Sequence, residues 1–400
     1  MLELWLELGV ETLRWINYGE EEQISAVRRE AHSHEGFSLE KEVCNHGFFM
    51  MAPNVWNPSK KTLGRPLRLL SDPSSSVYVT ISQRRLSRYL IIGKSCTNNN
   101  MTVTFLLVRF HDTDHLSSYD REYILKQIVR MLRLSPQDDK DVTEFQKLHP
   151  LAKQNGFGRL FRSPTLFEDV IKSILLCNCN WTRSLQMAEA LCGLQLELGT
   201  RTKSKLGNFP NPEELADFRE SFLKQRCNLG YRALHIIELA MKITYEHLDL
   251  EEMLAVEEET TAFNKLMELN GFGPFVCANV LMCMGFYIRV PVDTETRRHL
   301  SDYHSIDRNV VKTSSNDVII EDIYGKYSPF QCLAYWFELV DYYQKELGLK
   351  LSELPHSKYG SVTGTLMAKK FTSEEESTPP TKMQKKKQPA RRSNKKWKFV

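Results

Sequence analysis

The sequence predicts an α+β fold: an antiparallel β domain over residues 37–115, an all-helical domain over 116–354, and a basic disordered tail over 355–400. Three observations carry this. Val77, Val79 and Ile81 alternate with Tyr78, Thr80 and Ser82, the period of a half-buried strand rich in β-branched residues. From Asp120 onward apolar residues recur at helical spacing. After Pro355 the periodicity stops, and Ser, Thr, Pro and Lys dominate, a composition with too little apolar surface to offset the entropy of ordering.

The elements follow in order. Residues 1–36 have no assigned place; a short amphipathic helix is the one element they suggest. A second strand reads from Val103, Phe105 and Leu107, alternating with Thr102 and Thr104. Ser71–Ser76 and Cys96–Asn100 are turn clusters beside these strands. Ile124, Ile128, Met131 and Leu132 then share one helical face. Phe167, Val170, Ile171, Ile174 and Leu175 share another, with Ser163 as N-cap and Pro164 at the first helical position. Further stripes are Ala233, Ile236, Ile237 and Ala240; Cys277, Val280, Leu281 and Met284; and Leu333, Trp336, Phe337 and Val340.

The 400 residues suffice for two domains. No apolar run reaches the roughly 18–20 residues of a membrane span. The opening Met-Leu-Glu-Leu-Trp-Leu-Glu-Leu lacks a basic region and a cleavage site, so it does not read as a secretory signal. Glu20, Glu21 and Glu22 argue against a transit peptide. The nine cysteines are an odd number and widely spread. Apart from Cys177 and Cys179, no pair stands at zinc-ligand spacing, which reads as reduced thiols in a cytosolic or nuclear protein. Only Cys332 lies beyond Asp293, which excludes a four-cysteine iron–sulfur cluster there. No metal ligands are expected. Residues 367–400 carry a net +8 while the whole chain carries +3, so the body is at −5. Nucleic-acid binding by the body must then use a local patch.

The chemistry concentrates in two segments. Leu266-Met-Glu-Leu-Asn-Gly-Phe-Gly-Pro-Phe-Val-Cys-Ala-Asn279 reads as a helix ending at Gly271, a turn through Gly273, and a helix opened by Pro274. Such a hairpin aims free backbone N–H groups at a phosphate and positions a protein on a duplex without reading sequence. An ordinary helix-turn-helix corner is the competing reading. Further on, Arg289-Val-Pro-Val-Asp-Thr-Glu-Thr-Arg-Arg298 ends a short apolar segment in one carboxylate, Asp293, which is also placed to cap a helix.

Together, in this order, the two segments resemble the helix-hairpin-helix–GPD superfamily of base-excision DNA glycosylases, similar to 8-oxoguanine and 3-methyladenine glycosylases. The similarity runs from about Phe37 to Leu354. It extends to Phe167–Arg183, which looks like the family helix that feeds a wedge loop into the duplex. Asn178, Asn180 and Arg183 match the family loop, and Cys179 departs from it. Gly230-Tyr-Arg-Ala233 and Tyr324-Gly-Lys-Tyr327 also match. Gly47 aligns with a pocket glycine.

The resemblance implies double-stranded DNA with a damaged base as partner, a monomer without membrane attachment, and Asp293 as the catalytic carboxylate. It implies DNA contacts from Gly271, Gly273, Pro274, Asn178, Asn180, Arg183 and Arg297, and a base pocket from Gly47, Phe275, Trp336 and Trp181. It implies no cofactor beyond a monovalent cation at the hairpin. Trp336 and Trp181 are open between stacking on a base and packing in the core, and Arg297 and Arg298 between phosphate and salt-bridge roles. Bifunctional members carry a lysine where this chain has Phe275, so a monofunctional enzyme is expected, with Lys172 and Lys265 outside the motif. Glu295 and Asn270 replace a family histidine and proline; Glu295 reads most simply as a solvated first-turn acid. In the tail, Lys382–Lys396 is two basic clusters with a spacer, which suggests nuclear import or a DNA-binding arm, against a merely solvated tail.

Overall fold

The computed structural model describes residues 3–7, 15–17, 37–87, 102–111, 113, 115–198, 207–313 and 316–363. The Cys96–Asn100 turn cluster and the basic clusters of the tail lie outside them.

Six strands form one antiparallel sheet: β1 Glu3–Glu7, β2 Trp15–Asn17, β3 Val55–Asn57, β4 Thr62–Arg68, β5 Ser76–Ser87 and β6 Thr102–Phe110, in the order β2-β1-β6-β5-β4-β3. The N-terminal segment thus supplies two strands, where a helix was expected. The reason is legible afterwards: Leu2, Leu4, Leu6 and Leu8 recur every second residue, the strand period. Leu4 is fully buried and pairs Val108.

The alternation in β5 holds, with Val79 and Ile81 at 0% exposure. In β6 the phase shifts by one. The register pairs Ile81 with Val108 and Val79 with Phe110, so Leu106, Val108 and Phe110 share the core face with β5. Phe105 and Leu107 are buried on the opposite face. A strand covered on both faces reads as a continuous apolar run, which hides its phase from an alternation argument.

The helices that position the site are α1 Leu39–Val43, α2 Ser118–Leu132, α3 Leu166–Leu176, α4 Trp181–Leu198, α5 Arg232–Tyr245, α6 Glu259–Met267, α7 Pro274–Met284, α8 Thr294–Tyr303, α9 Asn316–Tyr324 and α10 Gln331–Leu347. Further helices connect them. The apolar stripes of α2, α3, α5 and α7 bury almost completely in one core continuous with the sheet. Among the described residues no helix is long and apolar enough to cross a membrane.

The N-cap of α3 is Thr165, not Ser163: the Thr165 hydroxyl accepts from the Glu168 amide at 3.2 Å. Ser163 is fully buried, and its amide donates to Asp169 Oδ1 at 2.7 Å, so the helix starts two residues later.

The sheet and the helices are joined by a buried ion network. Arg65 on β4 binds Glu168 on α3 through both guanidinium nitrogens, at 3.2 and 2.8 Å, and Lys172 reaches the same carboxylate at 2.7 Å. These cations outweigh the burial that would raise it and hold Glu168 down at about 2.

Residues 355–363, expected in the tail, are folded. A 3-10 turn over His356–Ser361 packs on the body, with Tyr359 buried and edge-on to Phe49 at 5.6 Å.

Candidate active site

The hairpin joins α6 to α7. The first helix stops at Met267, four residues before the predicted end, and the chain reaches Gly271 through a turn. Gly271 has φ +83°, and a Cβ there would meet the His235 ring at 2.3 Å. Only glycine combines that backbone region with that clearance. Gly273 is different. It is the extended N-cap of α7, Pro274 is the first helical residue, and a Cβ on Gly273 would meet nothing within 4 Å. The space outside Gly273 is where a phosphate could reach the unpaired N–H groups of the α7 N-terminus. Asn270, where the family has proline, donates to Glu238 at 2.6 Å and ties the turn to α5.

Asp293 caps α8. Its Oδ1 accepts from the Thr296 amide at 2.8 Å and from the Thr296 hydroxyl at 3.1 Å. The capping role does not preclude a chemical one, because the two Thr296 bonds both fall on Oδ1. Asp293 is exposed to solvent yet crowded by protein on most sides, the situation of a group in a concavity. Desolvation raises its pKa above the ordinary carboxylate range, against the lowering effect of the Thr296 bonds.

From Asp293 a run of contacts leads to the expected pocket. The Thr296 hydroxyl meets the Tyr335 hydroxyl at 3.0 Å. Tyr335 is edge-on to Trp336 at 5.7 Å, and Trp336 is edge-on to His46 at 4.5 Å. The next residue, Gly47, lies flat against Trp181: a Cβ would stand 3.2 Å from its ring. Trp181, half-buried, donates its indole N–H to the Tyr359 carbonyl at 2.8 Å. Pairwise contacts thus link Asp293 to Trp336, and His46 links Trp336 to Gly47 and Trp181. Phe275 is half-buried in the first turn of α7 and belongs to the hairpin.

Sequence reasoning missed His46. It is fully enclosed, burial pushes its pKa down to about 3, and the ring is therefore neutral. Its Nδ1 has no hydrogen-bond partner among the described residues. The signal was adjacency to Gly47, which by itself singles out no histidine.

The loop before α4 is braced from α5. Asn178 is exposed with φ +47° and donates to the Tyr231 hydroxyl at 2.9 Å. Asn180 is exposed, and its side chain accepts from the Arg183 amide at 2.9 Å, capping α4. Arg183 donates to the Asn228 carbonyl at 3.2 Å. Arg232, buried under Tyr231, holds the Cys177 carbonyl.

Arg297 is exposed. Arg298 is tied to Glu295 at 2.8 Å and to Asp302 at 3.1 Å, and lies over the Tyr342 ring. Glu295 is not a solvated acid: it also accepts from the Tyr343 hydroxyl at 2.6 Å. Of the two roles the sequence left open, Arg298 takes the salt bridge.

The antiparallel sheet and the helical body give a fold shared with solved DNA glycosylases. Particular relatives agree. The chain is 26% identical over 245 residues to the N-glycosylase/DNA lyase of Saccharomyces cerevisiae, covering 58% of this chain and 59% of that protein. It therefore spans about three-fifths of the length of the curated relative it matches. In fold it is similar to the 3-methyladenine DNA glycosylase of Archaeoglobus fulgidus, with TM-score 0.52 and 18% identity over 76% of this chain and 96% of that one. It is also similar to the 8-oxoguanine glycosylase/lyase of Clostridium acetobutylicum, with TM-score 0.51 and 16% identity over 76% and 93%. No family model matches the chain.

Proposed function

We propose that the protein is a DNA N-glycosylase that flips an alkylated or oxidised base out of double-stranded DNA and hydrolyses its N-glycosidic bond. The observation that carries this is Asp293: a carboxylate at a helix start, raised in pKa, open to solvent and one run of contacts from Gly47, Trp181 and Trp336. Extruding a base costs a few kcal/mol. Bond cleavage then builds positive charge on the sugar. A carboxylate at about 4 Å, in an effective dielectric near 20, stabilises that cation by about 4 kcal/mol. The same group orients or deprotonates the attacking water. The hairpin at Gly271, Gly273 and Pro274 would grip the phosphate backbone. Asn178, Asn180 and Arg183 would enter beside the flipped nucleotide, and Arg297 would reach a phosphate. The duplex-bound form of the clostridial enzyme, in complex with dsDNA containing cytosine opposite 8-oxoG, supports DNA as partner at the level of fold, with TM-score 0.50.

We further propose monofunctional chemistry, by a monomer. Phe275 cannot form a Schiff base. Lys172 is fully buried in its ion pair with Glu168, and Lys265 donates to the Met253 carbonyl at 2.9 Å. The name of the yeast relative favours a second reading, glycosylase plus lyase. Borohydride trapping on an abasic duplex separates the two: no adduct is expected, and a covalent adduct would overturn the monofunctional reading. Base release from a panel of damaged duplexes tests the activity itself; release from none would leave a noncatalytic DNA-binding module. The monovalent cation implied at the hairpin would be held by backbone carbonyls of the 268–273 turn, where Gly271 is exposed, and would steady the turn. Residues 364–400 would serve nuclear import or act as a basic arm, so truncation after Ser361 should alter localisation and salt-dependent affinity more than bond cleavage.

A further inference from the structure

Behind Asp293, on the far part of α8, three metal-binding side chains converge. His299 is on α8, His304 ends it, and Glu338 is on α10; their ligand atoms all lie within 4.8 Å of one another. Among the described residues they are the group so arranged. His304 Nε2 is 2.9 Å from Glu338 Oε2, and His299 Nε2 is 3.6 Å from the same oxygen. His299 is 0% exposed, and among the described residues neither of its ring nitrogens has a hydrogen-bond partner within 3.5 Å. Burying an imidazole with both nitrogens unsatisfied costs on the order of 1–3 kcal/mol per group. A site that uses one of them removes part of that cost.

We propose that His299, His304 and Glu338 bind a divalent transition metal of the zinc class and clamp α8 to α10. Zinc sits about 2.0–2.1 Å from histidine nitrogen and about 2.0–2.2 Å from carboxylate oxygen, so tetrahedral ligand atoms stand about 3.3 Å apart. The two histidine–carboxylate separations, 2.9 and 3.6 Å, bracket that figure, and the third separation lies within 4.8 Å. Two imidazoles and a carboxylate suit zinc-class ions better than magnesium or calcium, which take oxygen. The Tyr324 hydroxyl donates to Glu338 Oε2 at 2.7 Å and orients it from outside. Solvent reaches the partly exposed His304, which leaves room for water as a fourth ligand. The consequence is geometric. Glu338 is two residues from Trp336, and α8 begins at Asp293, so the clamp would fix the carboxylate relative to the pocket wall. The proposal is independent of the glycosylase reading.

The test uses the full chain, stripped with a chelator and titrated with Zn2+ against a chromophoric competitor. The expected result is one equivalent per chain, with a rise in Tm that Mg2+ does not give. His304→Ala and Glu338→Gln, each verified as folded by circular dichroism, should lose that equivalent and the Tm rise. His304 is partly exposed, so its variant tests binding even where the other fails to fold. Co2+ should give d–d absorption without thiolate charge transfer. Absence of Zn2+ binding, or an equivalent that persists in His304→Ala, would overturn the proposal; a thiolate band would do the same, since it would assign the ion to the free cysteines.

Discussion

Glu168 and Asp293 are both carboxylates near helix N-termini, and their surroundings push them in opposite directions. Glu168, at the joint between sheet and helices, has Arg65 and Lys172 within 3.2 Å and is held at about 2. Asp293 has the neutral Thr296 and a repelling Glu295 nearby, and its pKa is raised. The first charge is compensated and serves the fold. The second is left without a cation, which is the state a group needs if it is to meet a cation that appears only during a reaction.

Four experiments would break or sharpen that contrast. The largest effect is expected from Asp293→Asn. Loss of about 4 kcal/mol of charge stabilisation corresponds to about a thousandfold slower base release. Asparagine keeps the capping oxygen, so the Tm should stay close to that of the parent; equal release by both proteins would remove Asp293 from the chemistry. Glu168→Gln leaves Arg65 and Lys172 buried without their anion and should cost about 3–5 kcal/mol of stability, read by urea unfolding. A shift below 1 kcal/mol would show that the network is not the joint.

The third experiment is a pair of pH profiles. A lowered carboxyl contributes stability that is present above its unfolded value of about 4.5. For Glu168 that contribution should be lost as pH falls from about 4.5 to about 2. Asp293 has the opposite sign. Its raised pKa should place the acid limb of kcat above the ordinary carboxylate range, and a limb at or below that range would contradict the desolvated setting. The smallest effects come from the hairpin. Gly271→Ala forces a side chain into φ +83° and onto His235, and should cost about 1–3 kcal/mol of stability. Gly273→Ala meets nothing in the free protein, so its Tm should stay within about 0.5 kcal/mol of the parent while DNA affinity falls. A stability loss at Gly273 equal to that at Gly271 would make the hairpin a simple corner.

The contrast also shows what a sequence can hold. The hairpin and Asp293 were legible because their residue types are tied to backbone geometry: glycine to a positive φ, aspartate to a cap. The stripes of α2, α3 and α5 were legible because burial follows the helical period. The strand at Glu3–Glu7 was missed although its leucines alternate, because acidic residues between them also suit a helix. The phase of β6 was hidden by burial on both faces. Nothing local announces His299, His304 and Glu338, since the two histidines are not at a helical ligand spacing and Glu338 comes from α10. The folded turn at 356–361 was lost in a polar composition, yet Tyr359 and Val362 are enough to dock it.

That docking decides where the rest of the chain departs. The carbonyls of Tyr359 and Gly360 take the Trp181 indole N–H and the Thr182 hydroxyl, so the polypeptide leaves the body beside the first turn of α4. The eleven Lys and Arg residues beyond Met367 follow, in the sequence, a segment docked beside the loop proposed to enter the duplex. Tethering of this kind gives local concentrations on the order of millimolar without any added contact surface.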